Sequence, residues 1–195
     1  CKETGFNLIL CNADDDPKQE LAYIQTLQSK QIDGIIISTT GRNNEALRTM
    51  NRTGTPVVLF SRHVPEIDVD AVTVDNRAGI GLGLRHLLAH GHRNIAVFVL
   101  PYSDSPVTPR RERAQAFREY MQEYGLPFHE EWLVECTNEE EVLAGQLDRL
   151  LQGPGPHPTA VFGANDLMTM SLVRLLKNRR LRISQDMAVL GVDDW

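Results

Sequence analysis

The chain has little of what a membrane protein or a nucleic-acid-binding domain needs. No apolar run approaches the ~20 residues of a membrane-spanning helix. The formal net charge is −6, whereas a protein that binds phosphates by itself needs a concentrated basic face. The 195 residues are enough for one large domain or for two small lobes with real cores. We therefore expect a soluble globular protein with no membrane contact.

Cysteine is scarce, and its distribution is not that of a disulfide framework. The three cysteines, Cys1, Cys11 and Cys136, are odd in number and far apart in the sequence. This pattern is typical of free thiols in a reducing compartment. We therefore expect a cytoplasmic protein.

Signatures of nucleophilic catalysis and of cofactor binding are missing as well. The sequence contains no G-x-S-x-G motif, no P-loop and no cysteine with plausible histidine and acid partners. Gly79, Gly81 and Gly83 suggest a dinucleotide-binding loop, but Leu84 stands where the third glycine of G-x-G-x-x-G belongs. We interpret these glycines as positions where a helix packs closely on a neighbour. The prediction is a protein without catalytic residues and without a cofactor.

Two groups of metal-ligating side chains have simpler interpretations. His86 and His90 share one helical face and His92 is near, but no carboxylate or thiolate of clear ligand spacing accompanies them. Imidazoles are favourable at a helix C-terminus, which Gly91 would end in the left-handed conformation. The acidic run Asp14-Asp15-Asp16 precedes a helix, and its last residue is placed to cap it. A metal site is the less favoured alternative at both places.

Apolar runs and amphipathic stretches alternate along the whole chain. This alternation is typical of βαβ units, whose connections are right-handed and whose sheets are parallel. The fold class that we predict is α/β, with two Rossmann-like lobes at residues 1–92 and 93–195. The predicted strands are residues 6–11, 32–37, 55–60, 71–74, 94–100, 132–136, 159–163 and 187–192. The first predicted helix begins at residue 17. The other predicted helices cover residues 43–53, 78–90, 110–124, 139–152 and 167–178.

Polar side chains follow the ends of several predicted strands. Ser38 follows the second strand, Asn165 the seventh and Asp193 the eighth. In a parallel sheet the carboxyl ends of successive strands open onto one crevice, where ligands bind. The amide of Asn165 offers a donor and an acceptor, and a carboxylate suits paired hydroxyls. We therefore expect Asn165 and Asp193 to face one ligand-sensing cleft.

The acidic neighbours of these two residues have other expected roles. We interpret Asp166 as the N-cap of the helix that follows. Asp194 is expected to face away from the cleft, because adjacent residues on an extended strand point to opposite faces. Asp193 and Asp194 would therefore not act together on one bond.

Two arginines are candidates for the same cleft. Arg113 lies near the start of helix 110–124, and Arg62 follows strand 55–60 in the other lobe. A planar guanidinium binds vicinal hydroxyls or a carboxylate bidentately. Two arginines would suit a sugar acid or another small anion.

Several motifs, taken in their order and spacing, resemble the effector-binding core of the lactose/galactose repressor family (LacI/GalR). The central strands are similar at Ile32-Asp33-Gly34-Ile35-Ile36-Ile37 and Thr55-Pro56-Val57-Val58. The next similar segments are Val74-Asp75-Asn76 and His86-Leu87-Leu88-Ala89-His90-Gly91-His92-Arg93-Asn94-Ile95-Ala96. The last two are Thr159-Ala160-Val161-Phe162-Gly163-Ala164-Asn165-Asp166 and Val189-Leu190-Gly191-Val192-Asp193-Asp194.

This resemblance implies two lobes of the type I periplasmic-binding-protein fold, a homodimer, and operator DNA binding by an N-terminal helix-turn-helix domain outside this sequence. It implies ligand roles for Arg113, Asn165 and Asp193. Ala116 departs from the usual glycine, and residues 135–138 lack the aromatic that often stacks on a sugar ring. The ending Val-Asp-Asp-Trp resembles family members that sense sugar acids.

The ends of the sequence suggest a piece of a longer protein. Residues 1–5 have the pattern of the last turn of a helix, and Trp195 comes just after a predicted strand. We expect the first lobe to be incomplete at its start and the chain to stop before crossing back to it.

The sequence favours a cytoplasmic transcription regulator whose small-molecule effector, a sugar or a sugar acid, changes operator affinity. The main alternative is a periplasmic sugar-binding protein of a transporter, which shares the fold. An α/β enzyme is a third and weaker hypothesis, given the missing nucleophile signatures.

Overall fold

Two parallel β-sheets organise the computed structural model, which describes residues 5–193. The sheets lie in separate compact units, Cys1–Val74 (unit 1) and Asp75–Trp195 (unit 2). The predicted α/β class with parallel sheets is confirmed. The predicted helical turn at residues 1–4, the Cys1 thiol and the orientation of Asp194 lie outside the described residues.

The division between the units differs from the predicted boundary after residue 92. The helix that follows Val74 buries Ile80, Leu84 and Leu87 in one apolar cluster with Phe117 and Phe162, which both belong to unit 2. Its apolar face therefore belongs to the second unit. Sequence periodicity showed that this helix has a buried face but not which sheet covers it.

Unit 1 has a three-stranded sheet in the order β1-β2-β3, with both strand pairs parallel. Asp16 caps its first helix by accepting a 2.8 Å hydrogen bond from the Lys18 amide, as predicted. Leu47, Met50 and Leu59 are fully buried in its core. Its elements are α1 (Pro17–Ser29), β1 (Ile35–Ile37), α2 (Asn44–Arg52), β2 (Val57–Phe60) and β3 (Asp70–Val72).

The strand predicted at residues 6–11 is wrong. The segment forms no ladder, and Phe6, Leu8 and Leu10 are exposed. Apolar composition favours a strand only where a neighbouring backbone supplies hydrogen bonds, and no described strand pairs with this segment. It lines a groove of about 1120 Å³ together with β1 and α1.

Unit 2 has a four-stranded parallel sheet in the order β5-β4-β6-β7. Its central strand β4 is buried along its whole length, and apolar clusters cover both faces of the sheet. The elements are α3 (Asn76–Ala89), β4 (Ile95–Val99), α4 (Thr108–Glu123), a 3₁₀ turn (Glu130–Trp132), β5 (Leu133–Glu135), α5 (Glu140–Gln152), β6 (Ala160–Gly163), α6 (Asp166–Asn178) and β7 (Ala188–Gly191).

The glycines of α3 have a packing role at two of their three positions. A Cβ atom on Gly81 would lie 2.6 Å from Cζ of Tyr120, and one on Gly83 would lie 2.6 Å from Cζ of Phe162. Gly79 has open space around it. The helix ends at Ala89, and Gly91 two residues later has the left-handed conformation that was predicted, with a φ of +86°. The close-packing interpretation is therefore confirmed for Gly81 and Gly83.

None of the helices within residues 5–193 is long and apolar enough to cross a membrane.

Candidate functional site

The carboxyl ends of β6 and β7 lie side by side in unit 2. The two strands are parallel neighbours, with Gly163 opposite Gly191 at their ends. A Cβ atom on either glycine would collide with Thr169 of α6, so both glycines let the helix approach this edge closely. Asn165 follows β6 and Asp193 follows β7, so both residues lie at the sheet edge where the sequence analysis expected them.

Arg113 reaches this edge from α4 and is held by two hydrogen bonds. Its Nε donates to Oδ1 of Asn76 at 2.7 Å, and its Nη1 donates to the carbonyl oxygen of Ala164 at 2.6 Å. The side chain is only 12% exposed. An arginine has five N–H donors, and these contacts leave the Nη2 group without a described protein acceptor within residues 5–193. The guanidinium is oriented while part of its donor set is available to a ligand.

Asp193 supplies a negative charge beside this guanidinium. Its Oδ2 lies 3.5 Å from Nη1 of Arg113, and 49% of its side chain is exposed. The residue has a φ of +75°, a left-handed conformation that aspartate tolerates better than most side chains. The turn after β7 therefore directs an accessible carboxylate to the mostly buried arginine.

Asn165 has a structural role that the sequence analysis assigned to its neighbour. Its Oδ1 accepts a 2.8 Å hydrogen bond from the Met168 amide, so Asn165 is the N-cap of α6. Asp166 is the first residue of that helix, and its Oδ1 accepts from the Leu167 amide. The prediction of Asp166 as the cap is wrong, because an asparagine one position earlier already satisfies the exposed amide. The Nδ2 group of Asn165 is the part that can serve a ligand.

Asn76 and Glu112 were missed as members of this site. Asn76 is 5% exposed, and its Nδ2 donates to Oε2 of Glu112 at 2.6 Å while its Oδ1 accepts from Arg113. The sequence offered one signal, since Asn76 stands in the Val74-Asp75-Asn76 motif. Its contacts with α4 depend on tertiary packing, because Glu112 and Arg113 lie 36 and 37 positions after it in the sequence.

The loop before α4 is anchored by a carboxylate from β5. Oε1 of Glu135 accepts from the amides of Tyr102 and Ser103 at 2.7 and 2.9 Å, and its Oε2 accepts from Oγ of Ser103 at 2.6 Å. Partial burial raises the pKa of Glu135, but the hydrogen bonds from Ser103 and Tyr102 together outweigh it and leave the pKa below its ordinary value. The ionised carboxylate thus holds the segment that leads into the helix of Arg113.

Ser38 and Arg62, the two site residues predicted in unit 1, both line the groove beside β1. Ser38 is exposed at the end of that strand. Arg62 makes a bidentate contact with Asp15, at 2.7 and 3.1 Å, and its Nη1 also donates to the Thr39 carbonyl oxygen at 2.8 Å. The charge of Arg62 is therefore compensated within the unit.

The loop that carries Ser38 is held by a buried carboxylate. Glu20 is 4% exposed and accepts hydrogen bonds from Oγ1 of Thr39, from the amide and Oγ1 of Thr40, and from Nδ2 of Asn43. A buried charge is tolerated when it is fully hydrogen-bonded, and four donors surround this one. Glu20 therefore fixes the end of β1 relative to α1.

The three histidines at the C-terminal end of α3 and just after it do not form a ligand cluster in the part of the chain that the structure describes. The rings of His86 and His90 lie 4.4 Å apart, while Nδ1 of His92 contacts Oγ1 of Thr159. No group of three or more potential metal ligands occurs within residues 5–193.

Comparison with known proteins relates the whole chain to one family. The model for periplasmic binding proteins and the sugar binding domain of the LacI family matches residues 1–195. The HTH-type transcriptional regulator PtxS of Pseudomonas aeruginosa is 30% identical over 197 residues, which cover all of this chain and 56% of that protein. The HTH-type transcriptional regulator DegA of Bacillus subtilis is 28% identical over 98% of this chain and 56% of its own length. The chain thus spans little more than half the length of these relatives.

Solved structures show the same fold. The transcription regulator CcpA of Lactococcus lactis superposes with a TM-score of 0.79 over 97% of this chain and 68% of that one, at 23% identity. The complex of the transcriptional regulator CelR with cellobiose has a TM-score of 0.78 and 25% identity, over 97% of this chain and 57% of that one. The periplasmic-binding-protein-like architecture is confirmed.

Proposed function

We propose that this chain is the effector-binding core of a transcriptional regulator. The chain belongs to the family of periplasmic binding proteins and the sugar binding domain of the LacI family, and the proposal proceeds from that membership. The curated relatives reported above are helix-turn-helix regulators, which supports this role over that of a periplasmic transport protein. Operator binding belongs to a helix-turn-helix domain outside this sequence. The whole protein acts in the cytoplasm as a homodimer.

The observation that carries the proposal is the paired site of Arg113 and Asp193. A guanidinium donates hydrogen bonds and a carboxylate accepts them, so the pair offers vicinal hydroxyls a donor and an acceptor. Nδ2 of Asn165 is a further donor at the same sheet edge. Ser38 and Arg62, which line the groove of unit 1, are proposed as effector-binding residues of that unit.

The effector that we propose is a neutral sugar and not a sugar acid. Arg113 already has Asp193 as a counter-charge, and Arg62 has Asp15. An anionic ligand would have to displace these carboxylates or lie beside them, and like charges in close contact are unfavourable. A polyhydroxyl ligand satisfies the same donors and acceptors without adding charge.

We propose that the effector controls the regulator because it binds one conformation of the protein more tightly than the other. A ligand shifts a protein between two conformations only as far as its binding free energy differs between them. By linkage, the same coupling changes the affinity of the whole protein for its operator. Arg113 and Asp193 come from α4 and from the turn after β7, so a ligand that bridges them favours the conformation in which both are in place.

A thermal-shift screen of the full-length protein tests this function. D-glucose, D-ribose and cellobiose are the neutral probes, and D-gluconate is the charged analogue of glucose. A ligand at a hundredfold excess over its Kd adds about 2.7 kcal/mol and raises the melting temperature by about 5–10 °C. We expect this rise with at least one neutral sugar and not with gluconate. A rise with gluconate alone would overturn the neutral class, and no rise with any probe would count against the sugar-effector function.

A further inference from the structure

We propose that Asn76 is the residue that positions the effector-binding arginine, by relaying the charge of Glu112 to Arg113. Glu112, Asn76 and Arg113 form a hydrogen-bonded chain in which Nδ2 of Asn76 donates to the carboxylate at 2.6 Å and Oδ1 accepts from Nε of the guanidinium at 2.7 Å. The inference rests on the proposed function, since Arg113 is the proposed effector contact.

The chemistry of the two outer residues fixes the orientation of the amide between them. A guanidinium only donates hydrogen bonds, and an ionised carboxylate only accepts them. The side chain between them must accept on one side and donate on the other, which a carboxamide does and a carboxylate does not. Asn76 is 5% exposed, so water has little access to replace either bond.

The relay fixes the orientation of the guanidinium group of Arg113. Arginine is long and flexible, and ordering such a side chain during binding costs affinity unless the protein has ordered it beforehand. Nε is held by Asn76 and Nη1 by the Ala164 carbonyl, so two points define the plane of the guanidinium. Without Asn76, one point would remain and the plane could rotate about it.

The burial of Asn76 separates this role from direct ligand binding. Both polar atoms of the amide are engaged by the neighbours in the chain, whereas the carboxylate of Asp193 is half exposed. Asn76 therefore acts through Arg113. A variant that keeps the size of the side chain but replaces its donor with an acceptor is therefore expected to change affinity through Arg113.

Exchanging the hydrogen-bond donor of Asn76 and the acceptor of Glu112 tests the relay. In full-length Asn76→Asp, two carboxylates face each other at the position of the 2.6 Å hydrogen bond, and we expect the affinity for the best neutral sugar of the thermal-shift screen to fall about tenfold. Glu112→Gln removes the relayed charge but keeps an acceptor for Asn76, so we expect a smaller loss of affinity, of about threefold. The double variant Asn76→Asp with Glu112→Gln restores a donor–acceptor pair, and we expect recovery to within about threefold.

Recovery in the double variant is the result that a merely structural role would not produce. Wild-type affinity in Asn76→Asp, or no recovery in the double variant, would overturn the relay. Circular-dichroism melting of each variant identifies any that does not fold, and Asn76→Ala then replaces Asn76→Asp, with the same expected loss of affinity.

A second readout judges the relay without a ligand. The Nε–H proton of Arg113 is expected to exchange slowly with water in the wild type and in the double variant, and quickly in Asn76→Asp and Asn76→Ala, as measured by ¹H–¹⁵N NMR. If no sugar binds the wild type, the proposed function fails while this exchange pattern still supports the relay. Fast exchange in the wild type would contradict the relay whether or not a sugar binds.

Discussion

Arg113 and Asp193 form an ion pair in which the arginine is mostly buried and the aspartate is half exposed. Nη1 and Oδ2 lie 3.5 Å apart, with 12% of the arginine side chain and 49% of the aspartate side chain exposed. The distance is longer than that of a normal charge-assisted hydrogen bond, so the half-exposed carboxylate keeps accepting capacity for a ligand. Asp193 thus defines both the charge and the accessible side of the site.

Removing the negative charge of this pair is expected to change the preference of the site. Asp193→Asn keeps the size of the side chain but leaves Arg113 without the carboxylate that lies 3.5 Å from its Nη1. Hydrogen bonds to charged groups contribute about 1.5–3 kcal/mol, so the affinity for a neutral sugar should fall by about ten- to a hundredfold. The affinity for D-gluconate should fall less or rise. Titration calorimetry with both ligands measures the ratio, and an unchanged ratio would contradict the role of Asp193.

Unit 1 is expected to depend on its buried glutamate. Glu20→Leu removes the acceptor of hydrogen bonds from Thr39, Thr40 and Asn43. Buried donors without partners cost about 1–3 kcal/mol each when water cannot reach them, so we expect a loss of about 3 kcal/mol in the free energy of unfolding. Glu45→Leu on the exposed side of α2 is the control and should change it by less than about 0.5 kcal/mol. Urea denaturation measures both, and equal losses would show that the network contributes nothing specific.

The anchor at Glu135 gives a pH dependence with a defined sign. Its folded-state pKa lies below its ordinary value of 4.5, so the carboxylate contributes stability that is present above pH 4.5 and is lost as the pH falls through the folded-state pKa. Glu135→Gln should therefore be less stable than the wild type at pH 7, with the difference shrinking below pH 4.5. Denaturation at pH 7, 5 and 3 measures this difference. Glu141→Gln, on the exposed side of α5, is the control, and a Glu135→Gln difference that grows on acidification would reverse the sign and reject the anchor.

The glycines of α3 give a matched pair of substitutions. Gly83→Ala places a methyl group 2.6 Å from the ring of Phe162, and overpacking of this kind costs about 1–3 kcal/mol. Gly79→Ala meets open space in the same helix, where alanine is favoured over glycine by up to about 1 kcal/mol. Melting temperatures should therefore fall for the first variant and rise or stay unchanged for the second. A rise for both would indicate that α3 packs less closely than the structure shows.

Local sequence patterns predicted most helices and strands, because periodicity and caps are short-range properties. α5 and α6 begin within one residue of the predicted positions, and Asp16 caps α1 as expected. The strand at residues 6–11 was wrong, since strand formation depends on a hydrogen-bonding neighbour and not on apolar composition alone.

The sequence predicted the proposed ligand-contacting residues of the site but not the residues that hold Arg113 in place. Arg113 was identified from the start of a predicted helix and Asp193 from a strand end, both in agreement with the family resemblance, and the structure brings the two side chains together. Asn76 and Glu112 were not, because their contact joins α3 and α4 and no sequence spacing encodes it. The cap of α6 was assigned one residue too late, as two adjacent residues both have the chemistry of a cap.

The central claim is that Arg113 binds a neutral sugar effector, and isothermal titration calorimetry of two arginine variants tests it most directly. Full-length wild type, Arg113→Ala and Arg118→Ala are titrated with the neutral sugar that gives the largest thermal shift. Arg118 is exposed on the same helix and pairs with Glu130, so it is the matched control. We expect the affinity to fall at least about thirtyfold in Arg113→Ala and to stay within about twofold in Arg118→Ala. Wild-type affinity in Arg113→Ala, or an equal loss in both variants, would contradict the account.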